Sequence, residues 1–172
     1  MAKRKRTETF GRGRRRIGVL GWALRGAAAG AAGTTALNAV TYVDMAVRGR
    51  GSSTTPQLTV EQIAGKANVP IPGGGEQRQN RIEGLGPLMG LAGGVAVGAA
   101  AGLVRAAGVR TRPLVGIALT TIGAMVPGNG PMALLGITDP RNWSAEDWLG
   151  DVVPHLAYGV VVKTTMDAFG RP

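Results

Sequence analysis

The sequence predicts an all-α integral membrane protein, a bundle of four or three transmembrane helices rich in Gly and Ala. Three observations predict it. Long uncharged runs recur, the cleanest being 84–104, 21 residues between Glu83 and Arg105. At ~1.5 Å per residue that run makes about 31 Å of helix, matching the hydrocarbon thickness of a bilayer. Small residues repeat within it at four-residue spacing. Large apolar side chains are scarce: 172 residues include 29 Gly but only 3 Trp, 2 Tyr and 2 Phe, too few to fill a water-excluding core. The mean hydropathy of +0.09 is low for a polytopic protein because Ala and Gly stand in for Leu and Phe.

Residues 1–16 hold eight basic residues against Glu8, toward a net charge of +10. Because an apolar segment follows at once, this stretch reads as a cytoplasmic tail that fixes topology. The competing reading is an interaction segment for anionic lipid headgroups or, less in keeping with the apolar segment, nucleic acid. Arg14, Arg15 and Arg16 also imitate a twin-arginine export signal. Arg25 interrupts the apolar region such a signal requires, and further spans follow.

Residues 17–172 form the expected membrane domain. The first span covers about 26–43, where Gly26, Gly30, Thr34 and Asn38 make a small-to-polar stripe. Asp44 and Arg48, four apart with the acid first, suit a helical ion pair. Residues 48–83 form a polar connection with a capping-box pattern, Thr59 to Gln62, opening a short helix near 60–67. Charge there is too balanced to orient the chain.

The second span, about 85–104, carries Gly86, Gly90, Gly94, Gly98 and Gly102. Four-residue spacing puts all five on one side, a groove in which a neighbouring helix can approach closely. The first span's stripe is its natural occupant. The basic turn 105–112 belongs on the cytoplasmic side. The third span, about 113–137, is interrupted at 127–131 by Pro-Gly-Asn-Gly-Pro, which reads as a turn more readily than as a kink. Acidic residues in 139–151 fit an outer loop, with Ser144 and Asp147 marking a helix start. The fourth span, about 152–169, pairs Lys163 with Asp167. Both termini then lie in the cytoplasm.

Few residues can carry chemistry. Asn38, Asp44, Asn129, His155 and Tyr158 would lie in the outer half of the membrane, where polar groups are functional candidates. The bland reading is that Asp44 pairs with Arg48 at the interface and His155 hydrogen-bonds a neighbouring helix. With one His and no Cys, a multi-histidine or thiolate metal site is excluded, and no phosphate loop or hydrolytic triad stands in the sequence. No enzyme activity and no cofactor are expected.

The stretches GAAAGAAGTTALNAVTYVDM, GNGPMALLGITDPRNWSAEDWLGDVVPHLAYG and PHLAYGVVV resemble uncharacterised small integral membrane proteins of actinobacterial type. A fainter resemblance is to the YagU-like inner-membrane family. It implies a multi-pass protein of the cell membrane and carries over no functional residue. The expected role is structural or interactive, through glycine-zipper helices and a second copy or a membrane partner. The alternatives are a small channel or transporter using the interrupted third span, and a membrane-anchored binder acting through the tail.

Overall fold

Local sequence chemistry sets some of the helix ends, at Gly49 and Ser144 above all. The computed structural model describes residues 17–170, so the reading of the basic tail falls outside it. Among these residues the protein is all-helical, without a strand: α1 (Val19–Arg48), α2 (Thr55–Lys66), α3 (Gly75–Ala106), α4 (Pro113–Leu134) and α5 (Ala145–Phe169), with a 3-10 turn at Pro140–Asn142. Gly49 stops α1 in the left-handed region (φ 64°), which costs glycine little. Ser144 starts α5 with a full capping box. Its hydroxyl accepts from the Asp147 amide at 3.1 Å, and the Asp147 carboxylate accepts from the Ser144 amide at 2.9 Å.

Two expectations need correction. The short helix of the polar connection opens at Thr55, not at the Thr59 pattern, because Pro56 presets its first turn. Thr59 is inside that helix, donating back to the Thr55 carbonyl, and Glu61 pairs with Arg78 of α3 at 2.7 Å. The Pro-Gly-Asn-Gly-Pro segment is not a turn either: α4 runs through both Pro127 and Pro131 to Leu134. A proline ring presses on the carbonyl four residues back. For Pro127 that carbonyl belongs to Gly123, whose missing side chain leaves the backbone room to adjust.

Helix α1 runs antiparallel to α3 and α5. Its start lies by Gly102 of α3 and Phe169 of α5; its end, through Arg48, reaches Glu146 at the start of α5. Helices α4 and α5 are likewise antiparallel, joined at Gly116–Lys163 and at Asn129–Asp151. Helix α2 lies over the first half of α3, where Ile82 is fully buried and Gly86 meets Pro56.

The interior is small. Ala29, Tyr158, Val162 and Met166 form its apolar centre. By contrast Leu20, Val47, Leu88, Leu114 and Leu134 are exposed, as are most large apolar side chains on α1, α3, α4 and α5. Among the described residues one helix, α3, is long and apolar enough to cross a membrane.

Candidate functional site

Two features stand out: a backbone-to-backbone crossing of α1 on α3, and a polar cluster joining α4 to α5. In the crossing, a Cβ built on Gly26 would fall 2.8 Å from the Gly102 nitrogen, and one on Gly30 only 3.1 Å from the Gly98 Cα. From the other side, a Cβ on Gly98 would fall 2.5 Å from the Gly30 Cα, and one on Gly102 2.9 Å from the Trp22 carbonyl carbon. Any side chain there would force the helices apart, because carbon atoms pack at about 3.5–4.0 Å. Thr34 closes the seam against Gly94, its hydroxyl satisfied by the Gly30 carbonyl at 3.0 Å.

The expected groove of five is thus divided between two neighbours. Gly94, Gly98 and Gly102 face α1, Gly86 faces α2, and Gly90 has no atom within 4 Å of an added Cβ. One turn beyond Thr34 on α1 stands Asn38, which is exposed, and the close approach does not extend to Gly90. Two further glycines serve as seats. Gly33 receives the Tyr158 ring and the Val162 side chain of α5; Gly159 of α5 receives Thr121 of α4. Beside that contact the Thr120 hydroxyl, 2.8 Å from the Gly116 carbonyl of its own helix, lies 3.1 Å from the Gly159 carbonyl of α5.

The polar cluster centres on Asp151, which sequence reasoning had left in the acidic loop. One of its carboxylate oxygens accepts from Asn129 Nδ2 of α4 at 2.7 Å; the other lies 3.3 Å from His155 Nδ1. His155 Nδ1 is also 2.7 Å from the Asp151 carbonyl. A carbonyl only accepts, so Nδ1 carries the proton and Nε2 is left facing Gly128 of α4. The His155 and Asp151 side chains are 16% and 19% exposed, largely shielded. The signal that could have found Asp151 is its four-residue spacing from His155 on one helix.

No family model matches the chain, and no curated protein or solved structure matches it either.

The other polar candidates lie apart from this cluster. Asp44 is held by Arg50 at 2.5 Å and by Arg48 at 3.6 Å, while Arg48 reaches Glu146 at 2.8 Å. That network ties the end of α1 to the start of α5. Tyr158 meets a different helix from His155, donating to the Gly94 carbonyl of α3 at 2.7 Å. Asn38 is exposed on α1 and joins neither group. Before α5 and in its first turn, two carboxyls are perturbed: the Arg141 guanidinium beside Asp139 (2.9 Å) holds that carboxyl below the ordinary range. The Ser144 hydroxyl does the same for Asp147. Among the described residues no group of three or more His, Asp or Glu side chains gathers to hold a metal ion.

Proposed function

We propose that the chain is an integral membrane protein in which α1, α3, α4 and α5 cross the bilayer as a four-helix bundle. Its role is structural or interactive, with a glycine-zipper crossing of α1 on α3 and a second copy or another membrane protein as partner. The observation that carries this reading is where the apolar surface lies. Two kinds of soluble-protein segment imitate a membrane helix: a core helix, which is mostly buried, and an N-terminal signal. Helix α3 is neither, because only 11% of its apolar window is buried and it stands mid-chain. An exposed apolar surface of this extent suits lipid and not water. The prolines and glycines inside the helices fit as well, since backbone bonds persist where water cannot compete for them.

Charge supports the orientation. Arg25, Arg105, Arg110 and Arg112 gather at the end where α1 begins and α5 ends. The opposite end holds Asp44, Asp139, Glu146, Asp147 and Asp151 against Arg48, Arg50 and Arg141, a net acidic set. Basic residues favour the cytoplasmic side, so both termini are assigned there, in the cell membrane. The resemblance to small actinobacterial-type and YagU-like membrane proteins agrees with this and adds no activity. Alkaline carbonate extraction of membranes tests the reading. The chain stays with the pellet if it is integral, and its release to the supernatant overturns the proposal.

A second reading, a small proton or solute pathway, is favoured by one observation: the shielded Asn129–Asp151–His155 cluster beside the proline-bearing part of α4. Proton flux through liposomes that is lost on His155→Ala and on Asp151→Asn supports it. Equal flux in all three proteins removes it.

A further inference from the structure

At the end where α1 begins, two guanidinium groups share one indole ring. Arg25 Cζ lies 5.6 Å and Arg105 Cζ 5.5 Å from the centre of Trp22, and Arg25 Cζ lies 5.7 Å from the Phe169 ring. One Arg25 nitrogen donates to the Phe169 carbonyl at 3.1 Å, one of the last carbonyls of α5, left without an intrahelical partner. A guanidinium has five donors in a planar fork, so that bond leaves most of them unspent. Among the described residues no carboxylate lies within ion-pair distance of either arginine. The nearby Asp167 is engaged by Lys163. Arg110 and Arg112 on the following turn are exposed and likewise add positive charge.

Two like charges brought to one ring repel unless an anion joins them, and a phosphodiester matches the guanidinium fork in shape and charge. The surroundings say which phosphodiester. Leu24, Leu103 and Val104 stand exposed beside the pair, an apolar surface for acyl chains next to a charged head. A free phosphate needs no such surface. We propose that Arg25, Arg105 and Trp22 form a seat for the headgroup of an anionic phospholipid of the cytoplasmic leaflet. Basic pockets between membrane helices on that side bind such headgroups. Its residues are other than those of the basic tail, and the proposal rests on the membrane reading given above.

The test uses Trp22 as the reporter. The full chain carrying Trp143→Phe and Trp148→Phe is reconstituted in phosphatidylcholine vesicles, leaving one indole. Brominated phosphatidylglycerol or brominated phosphatidylcholine is then added as the quencher. The expected result is quenching by phosphatidylglycerol at about thirtyfold lower mole fraction, from two basic side chains acting together. That preference disappears in Arg25→Gln/Arg105→Gln and survives replacement of the eight basic residues of 1–16 by Gln. Equal quenching by both lipids, or a preference that survives the double arginine change or follows the tail, overturns the seat while leaving the membrane reading in place. Absence of quenching by either lipid overturns the membrane reading and the seat together. If the tryptophan changes prevent folding, native mass spectrometry replaces quenching. The chain with all its tryptophans should retain phosphatidylglycerol that the double arginine variant loses, and equal retention overturns the proposal.

Discussion

Replacing Gly98 by Ala puts a Cβ 2.5 Å from the Gly30 Cα and 2.6 Å from the Gly30 nitrogen. Both atoms belong to the α1 backbone, which cannot swing aside as the end of a side chain can. Restoring ordinary contact at about 3.5 Å requires the helices to part by roughly 1 Å. A gap of that size forfeits about a quarter to a half of the dispersion energy of each atom pair along the seam. Overpacking of this kind costs about 1–3 kcal/mol. Against it stands the helix-forming advantage of Ala over Gly, up to ~1 kcal/mol. Gly90→Ala isolates the two effects, because it sits on the same helix and its added Cβ meets nothing within 4 Å. Both variants share the propensity gain, so their difference reports the crossing alone. Reversible unfolding in mixed micelles, or steric trapping in bicelles, should find Gly98→Ala less stable than Gly90→Ala by about 1–3 kcal/mol. Equal stabilities would refute the view that the seam is limited by backbone contact.

Other perturbations give smaller, directional effects. Tyr158→Phe removes the bond to the Gly94 carbonyl and leaves the ring seated on Gly33; a loss of about 0.6 kcal/mol is expected, as for interhelical bonds in membranes. A loss above about 3 kcal/mol in the same unfolding assay would mean the hydroxyl holds more than this one contact. Ser144→Ala removes the N-cap of α5 at a cost of about 1 kcal/mol. Asp147 has a depressed pKa, so its capping contribution is complete above the unfolded carboxylate range near pH 4 and fades as the pH falls below it. The gap between wild type and Ser144→Ala should narrow in that window, and a gap constant down to pH 2 would contradict the assignment.

The helices were legible from the lengths of the uncharged runs, but their ends were not. Helix α1 continues back past Arg25 because the guanidinium finds the Phe169 carbonyl, a partner 144 residues away. Helix α3 starts at Gly75 because its polar opening packs beneath α2 and Arg78 pairs with Glu61. Spacing marked the glycines as one face but did not divide that face between α1 and α2, since the division depends on how far each neighbour follows α3. Gly33, Gly116 and Gly159 escaped notice because their occupants, Tyr158, Lys163 and Thr121, come from other helices. Asp151 was hidden by its neighbours: among other acidic residues it reads as solvated charge, and only the docking of α4 on α5 brings Asn129 to it.

The chain has no cysteine, so single cysteines can report topology without background. Ser53 and Asn142 stand exposed at one end of the helices, and Thr111 lies in the turn at the other. Intact cells carrying Ser53→Cys, Asn142→Cys or Thr111→Cys are treated with a membrane-impermeant thiol reagent. A four-crossing chain with its termini inside predicts labelling at 53 and 142, and at 111 only after the cells are opened. Labelling at 111 in intact cells, or opposite behaviour at 53 and 142, would contradict it.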